Sequence, residues 1–170
     1  MIRQPQRLKA ILPALLLLAI TNTAAVAAAA EIYGHVVRII DGDTLTVLDA
    51  NNRQTKVRLA EIDTPESGQP YGNRAKQELS DLAFDKDVRV AVRDVDRYGR
   101  MVGRVYAGEV DVNAEMVRRG AAWVYRQYNR DLTLIFIEQE AKREKRGLWG
   151  LPETDRKPPW QWRSDRNGRW

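Results

Sequence analysis

The sequence of 170 residues contains no cysteine and only one histidine. Without sulfur atoms from cysteine, the chain cannot form disulfides, a thiolate zinc site, a thiol-based active site or a lipoprotein anchor. A single imidazole also excludes metal sites built from several histidines and nucleases that need paired histidines. The one histidine, His35, lies in a segment that we predict to be a strand, and we interpret it as a structural residue.

The middle of the chain lacks an excess of positive charge. Residues 31–140 hold 16 basic and 19 acidic side chains, whereas residues 141–170 hold 9 basic and 4 acidic side chains. The formal net charge of +5 therefore gives only weak support to nucleic-acid binding by bulk attraction. Any recognition of phosphate by the middle of the chain must depend on particular arginines.

Residues 1–30 differ in composition from the rest of the chain. Three basic residues within the first nine positions precede an apolar run at 10–20 and a stretch of small residues at 24–30. This order is typical of a secretory signal peptide, and the apolar run is shorter than the roughly 20 residues that a membrane-spanning helix needs. We therefore expect cleavage, export to the periplasm or the medium, and no membrane anchor afterwards. Without this segment the formal net charge falls from +5 to +2.

The remaining chain shows alternating patterns of strands and, between them, helical periodicity. Five strands are predicted, at 31–40, 44–48, 55–62, 88–92 and 101–107. Three helices are predicted, at 71–84, 113–119 and 131–146. Three strands, one helix and two further strands match the element order of an OB-type barrel. We predict an α+β, mainly β, fold, with a five-stranded OB-type barrel and three helices in one domain over 31–150.

Local signals predict how several of these elements begin and end. Asp41-Gly42 between two β-branched runs indicates a tight hairpin in which the glycine takes a positive φ. Asp131 is placed to cap the last helix, and Gly147 to occupy the C′ position after it. A basic tail at 151–170 is rich in proline and tryptophan and is predicted to be extended. We expect its residues Trp160 and Trp162 to dock on the domain rather than to stack on bases.

Three clusters of acidic and basic residues fall at the ends of predicted strands, at 41–44, 58–66 and 96–100. Carboxylates and a threonine carbonyl suit a hard cation such as Ca²⁺, which takes ~6–8 oxygen ligands and needs neither imidazole nor thiolate. Planar guanidinium groups suit phosphate oxygens, which they bind in a bidentate manner. The clusters therefore indicate a metal and phosphate site where loops leave the barrel.

The strings in these clusters resemble the thermonuclease family of staphylococcal nuclease-like secreted nucleases. The chain reads DGDT at 41–44, RLAEIDTPE at 58–66 and DRYGR at 96–100, with supporting matches at 117–120 and 146–149. A lone DGD would be weak evidence for this resemblance, whereas all the strings in this order are strong evidence for it. The family has an OB barrel, in agreement with the predicted order of elements.

The resemblance implies a Ca²⁺ site made by a few oxygen ligands. Asp43 and Asp63 would supply carboxylates and Thr64 a backbone carbonyl, while water and a substrate phosphate complete the coordination. Asp41 would lie near the ion without binding it directly.

The resemblance also implies which residues act on the substrate. Arg58 and Arg100 would contact the scissile phosphate, and Glu66 would orient or deprotonate the attacking water. Arg97 and Tyr98 would contact substrate phosphates. The residue that packs against a terminal base aligns equally with each of three positions, Tyr125, Arg126 and Tyr128.

The implied activity is Ca²⁺-dependent endonucleolytic cleavage of DNA and RNA with low sequence specificity, which leaves 3′-phosphate ends. We expect a monomer. The alternative is a catalytically inactive OB-type module that binds single-stranded nucleic acid. A second alternative is a structural Ca²⁺-binding protein of the cell envelope, with no affinity for nucleic acid.

Overall fold

The structure is a computed structural model that describes residues 30–167. The predicted signal peptide, apart from Ala30, lies outside the described residues. Among these residues the strands are β1 (Glu31–Ile39), β2 (Thr44–Leu48), β3 (Gln54–Leu59), β4 (Ile62–Asp63), β5 (Asp87–Val95), β6 (Met101–Ala107), β7 (Val110–Asp111) and β8 (Trp123–Val124). The helices are α1 (Gly72–Ala83), α2 (Val112–Arg118), α3 (Leu132–Arg143) and α4 (Pro159–Asn167), with 3₁₀ turns at Gly147–Gly150 and Glu153–Asp155.

Five strands close into a barrel in the order β3-β2-β1-β5-β6. Closure comes from a parallel pairing of β3 with β6, in which Arg58 lies opposite Val102. β7 extends β6, and β4 pairs separately with β8. The prediction of an α+β, mainly β, OB-type barrel of five strands is confirmed.

Alternation along the strands fills the barrel with aliphatic side chains. Leu45 and Val47 of β2 and Val57 and Leu59 of β3 are all fully buried. Burial of each such side chain contributes about 1.5–3 kcal/mol to stability. The intervening residues of β2 and β3 point away from this interior, so polar groups such as Arg58 lie on the other face.

Helix α3 begins where predicted and ends earlier. The Asp131 carboxylate accepts the Thr133 N–H at 2.8 Å, which is the predicted cap. The helix ends at Arg143, and Lys145 takes the left-handed conformation with φ of 53°. Gly147 is therefore not the C′ residue. A Cβ there would meet the Gly120 carbonyl oxygen at 2.4 Å, so this glycine permits close backbone approach to the turn after α2.

The tail is not extended, contrary to the sequence prediction. It forms one 3₁₀ turn, at Glu153–Asp155, and helix α4, whose first residue is Pro159. Proline suits the first helical position, because its missing N–H would have no partner there and its φ is already helical. The Trp160 ring stacks on the Tyr125 ring at 5.2 Å between centroids, so its predicted docking on the domain is confirmed.

Gly42 has a different purpose from the one predicted. It is not among the residues with positive φ. A Cβ at this position would lie 2.6 Å from the Thr64 hydroxyl and 3.0 Å from the Ala75 Cβ. The hairpin needs glycine because the loop that carries Asp43 lies directly against the segment that carries Asp63.

One buried amide ties three elements together. Asn113 of α2 is fully buried, its Oδ1 accepts the Val105 N–H at 3.0 Å, and its Nδ2 donates to the Ala60 carbonyl at 2.9 Å. These bonds join α2 to β6 and to the turn between β3 and β4. That turn leads into the second acidic cluster, so Asn113 helps to place it.

We expect Asn113→Ala to lower the free energy of unfolding by about 1–3 kcal/mol, because it leaves buried backbone groups without partners. Urea denaturation followed by circular dichroism measures the change. Asn51→Ala, in an exposed turn, is the matched control and should stay within about 0.5 kcal/mol of the wild type. Equal stability of the two variants would contradict the role given to Asn113.

His35 lies in β1, as predicted, between two aspartates. Its Nε2 is 2.9 Å from Asp85 Oδ1 and its Nδ1 is 3.0 Å from Asp87 Oδ1. Hydrogen bonds to Asp85 and then Asp87 raise the pKa of His35 above 6.5. The folded protein thus binds this proton more tightly than the unfolded chain does. The resulting stabilisation is complete below pH 6.5 and is lost as the pH rises through the folded-state pKa.

We therefore expect His35→Gln to lower the Tm more at about pH 6 than at about pH 9. Thermal unfolding of both proteins at the two pH values measures this difference. A Tm difference that does not change with pH would show that the two aspartates do not favour protonated His35.

Candidate functional site

The three acidic and basic clusters meet in one open cleft of about 2010 Å³. The cleft walls include Asp41 and Asp43 from the first cluster, the residues around Asp63 from the second, and Arg100 from the third. The convergence expected from sequence is therefore present. Strand pairing causes this convergence, because Arg58 of β3 lies opposite Thr44 of β2 on one side and opposite Val102 of β6, two residues after Arg100, on the other.

Strand pairing places the first two clusters side by side. Thr44 of β2 lies opposite Arg58 of β3, and the Asp43 carbonyl accepts the Leu59 N–H at 2.8 Å. The short strand β4 then brings Asp63 to this place, where it lies opposite Trp123 of β8. Backbone pairing thus sets the relative positions of Asp43, Arg58 and Asp63.

One guanidinium nitrogen joins the two aspartates. Arg58 Nη2 is 3.2 Å from Asp43 Oδ2 and 2.9 Å from Asp63 Oδ1. The two carboxylate oxygens therefore lie no farther apart than the sum of these distances. Burial lowers the pKa of Arg58, but Asp43 and Asp63 outweigh it and raise the pKa above its ordinary value. The group is a permanent cation between two anions.

Asp41 and Asp63 lie in crowded and poorly hydrated surroundings in the cleft. Burial, and then the charge of Asp43, raises the pKa of Asp41 to about 6. Burial also raises the pKa of Asp63, whose side chain is 1% exposed, and nearby guanidinium groups oppose that rise. Negative charge here needs compensation, which favours the binding of cations.

The donor set fits a hard divalent cation. Asp43 and Asp63 present carboxylate oxygens to a common point that Arg58 already contacts with a positive charge. Thr64 is buried beside them and has a backbone carbonyl. Within residues 30–167 no group of three or more Asp, Glu, His or Cys side chains has the arrangement of a metal site. A cation held by two carboxylates would need the carbonyl, water and substrate oxygens as further ligands.

Arg100 lines the same cleft but does not contact these carboxylates. Its Nε donates to Asp96 Oδ2 at 2.7 Å, and its backbone N–H donates to Asp96 Oδ1 at 3.0 Å. Arg97 and Tyr98 line the cleft on the same turn, and the Tyr98 residue is 69% exposed. The structure thus brings Arg100 to the cleft with its guanidinium held by Asp96.

The structure distinguishes between the three candidates for the residue that packs against a terminal nucleobase. Tyr125 and Tyr128 line the cleft, with their rings 4.8 Å apart in an edge arrangement. Arg126 instead pairs at 2.6 Å with buried Glu138 of α3. The two tyrosines therefore form an aromatic surface of the cleft in addition to Tyr98, and Trp160 covers one face of Tyr125.

Sequence reasoning missed Arg163 of α4. Its Nη2 is 2.7 Å from Asp63 Oδ2, and its Nη1 is 2.7 Å from Glu66 Oε1 and 3.2 Å from Asp63 Oδ1. Although burial lowers the pKa of Arg163, the hydrogen bonds to Asp63 and Glu66 raise it above its ordinary value. This arginine lies 97 residues after Glu66, in a tail predicted to be extended, and no pattern in the sequence links the two positions.

Comparison with known proteins adds independent information. Residues 56–150 match the family model described as staphylococcal nuclease homologue. The chain is 47% identical over 157 residues to a Shigella flexneri protein named micrococcal nuclease, and the alignment covers 85% of this chain and 88% of that protein. It is 47% identical over 135 residues to an uncharacterized endonuclease of Escherichia coli O157:H7, and this alignment covers 79% of this chain and 86% of that protein.

Proposed function

The chain belongs to the staphylococcal nuclease homologue family and is a nuclease, and from that premise we propose that it is an exported, Ca²⁺-dependent endonuclease of DNA and RNA. One observation carries the proposal: Asp43, Asp63, Glu66 and Arg58 lie together in one open cleft. The individual roles of these residues are part of the proposal.

We propose that Asp43, Asp63 and the Thr64 carbonyl hold the Ca²⁺. When bound there, the ion supplies positive charge that offsets the charge of the phosphate oxygens. Attack of water on phosphorus increases that negative charge, and the Arg58 guanidinium is suited to donate hydrogen bonds to it. Arg100 is suited to the same role, because its guanidinium donates to Asp96 through Nε and can donate to the phosphate through its Nη groups.

Glu66 is suited to orient the attacking water and accept its proton. Its side chain is 38% exposed, so water reaches it directly, and it contacts the same arginine as Asp63. The bond between phosphorus and the 5′-oxygen would then break, which leaves a 3′-phosphate end and a 5′-hydroxyl that takes its proton from solvent. The proposed base and the proposed metal ligand are neighbours, because Arg163 Nη1 donates to Glu66 Oε1 at 2.7 Å and to Asp63 Oδ1 at 3.2 Å.

Low sequence specificity and acceptance of both polymers follow from the groups that line the cleft. Its arginines are suited to phosphates, and phosphates carry no sequence information. Tyr128, 59% exposed, offers an aromatic face to any base. An open cleft that recognises backbone and base faces favours single-stranded regions of either DNA or RNA.

We also propose that the protein acts outside the cytoplasm, as a monomer. The support for export is the composition of residues 1–30. Among the described residues, no helix has the length and apolar character that crossing a membrane requires.

The activity itself is tested with the mature chain from residue 31. Supercoiled plasmid, single-stranded DNA and RNA are each incubated with Ca²⁺ and, separately, with EGTA. We expect shortening of all three with Ca²⁺, none with EGTA and slower cleavage with Mg²⁺, because that ion demands a tight octahedral shell. Binding without shortening would favour an inactive OB-type module. Equal rates with both metals would contradict the proposed Ca²⁺ site.

We expect Arg58→Ala to lower kcat by about 100-fold or more, because it removes a positioned donor to the developing charge. Arg58→Lys keeps the charge between the aspartates without the planar fork, so it separates lost folding from lost catalysis. Arg38→Ala, in an exposed part of β1 outside the cleft, is the matched control. Initial rates are measured together with circular dichroism. A folded Arg58→Ala protein with wild-type rates would remove Arg58 from the mechanism.

A further inference from the structure

Helix α4 lies beyond residues 56–150 that match the family model, yet its side chain Arg163 reaches the centre of the cleft. Its guanidinium bonds both oxygens of Asp63 and one oxygen of Glu66. These two residues are the proposed cation ligand and the proposed base. One group from the tail therefore joins two residues with different tasks.

Contacts that do not involve the carboxylates of the cleft hold α4 in place. Pro159 at its start is buried, and the Trp160 ring stacks on Tyr125 and meets Trp123 edge-on at 5.9 Å. Gln69, in the loop after Glu66, donates a hydrogen bond from Nε2 to the Lys157 carbonyl. The backbone that carries the Arg163 side chain is therefore positioned by packing that does not involve the carboxylates.

Glu66 depends on this contact more than Asp63 does. Asp63 is buried and also bonds Arg58 at 2.9 Å, so it keeps a partner if Arg163 is removed. Arg163 is the only side chain in the described residues that bonds the Glu66 carboxylate, which is 38% exposed. Without Arg163 the Glu66 side chain would be free to turn in solvent, and a base must lie within hydrogen-bond reach of the water that it serves.

We propose that Arg163 is a positioning residue of the active site, which holds the Glu66 carboxylate at a set place beside Asp63. The tail is then part of the catalytic unit and not an appendage to it. This inference rests on the proposed function. Because Arg163 acts through Glu66 and does not hold substrate, its loss should lower kcat and leave KM nearly unchanged.

The first test compares steady-state kinetics of Arg163→Ala with those of Arg166→Ala. Arg166 lies on the same helix, is exposed and forms no ion pair within the described part of the chain, so it is the matched control. We expect Arg163→Ala to lose about 10–100-fold in kcat, the usual effect of removing a group that orients a catalytic ligand, with KM within about threefold. Arg166→Ala should behave as the wild type.

A double-mutant cycle tests whether the effect passes through Glu66. In a Glu66→Gln background, Arg163→Ala should cause little further loss of kcat, because the group that it positions is already gone. Independent, multiplicative losses would overturn the inference. Arg163→Lys keeps the charge but reaches only one carboxylate at a time, so we expect an intermediate kcat. This variant replaces Arg163→Ala in the cycle if Arg163→Ala does not fold.

Calorimetric Ca²⁺ titration gives a readout without turnover. We expect Arg163→Ala to bind Ca²⁺ at least as tightly as the wild type, because a positive charge beside Asp63 has been removed. Affinity weakened by tenfold or more would mean that Arg163 supports the cation site and not Glu66. All rates are therefore compared at Ca²⁺ concentrations that saturate each variant.

The outcomes separate this inference from the function on which it rests. A wild-type protein without Ca²⁺-dependent cleavage contradicts the proposed function. An active wild type with unchanged Arg163 variants contradicts only the positioning role. A rise in rate on removal of Arg163 would show that the tail inhibits the site, which also overturns the proposal.

Discussion

Crowding of carboxylates in a partly dry cleft is the interaction on which the site depends. Asp41, Asp43, Asp63 and Glu66 lie in one cleft, and burial raises the pKa of both Asp41 and Asp63. Repulsion between such groups would unfold or protonate the region unless cations lie among them. Two guanidinium groups, from the barrel and from the tail, meet this need, and each contacts two carboxylates.

The barrel makes this crowding possible through backbone pairing. The pairing of β2 with β3 sets Arg58 beside the loop that carries Asp43. Gly42 lets this loop lie against Thr64, where any side chain would collide. The acids are therefore held by hydrogen-bonded strands and close backbone contacts, which resist the repulsion that their own charges create. A rigid scaffold of this kind suits the binding of a cation and a phosphate that we propose for this site.

Arginines compensate the negative charge of the carboxylates in a way that suits a nuclease. A guanidinium neutralises a carboxylate while it retains donors for a phosphate, so the same groups can serve the site with and without substrate. The tail extends this arrangement. Helix α4 stacks Trp160 on Tyr125 and bonds Asp63 and Glu66 through Arg163, so it connects the aromatic surface of the cleft to its acidic centre.

Much of the fold was predictable because it depends on local patterns. Alternation predicted the strands of the barrel, the periodicity around Leu79 predicted α1, and the cap at Asp131 marked the start of α3. The predicted end of α3 was wrong. Gly147 is required by a close backbone contact with the turn after α2 and does not end the helix. Helix α4 was missed because a short segment rich in proline gains its stability from tryptophan packing on the domain.

The sequence alone determined the donor chemistry of this protein: oxygen ligands and guanidinium groups in three clusters, with no thiols and a single imidazole. Which of those groups meet depends on how the chain folds. Hydrogen bonds between Arg163 and residues about 100 positions earlier depend on how α4 packs, and spacing along the chain carries no record of that packing. For the same reason only the structure showed that Arg58 joins two aspartates while Arg100, from an equally suggestive string, is held by Asp96.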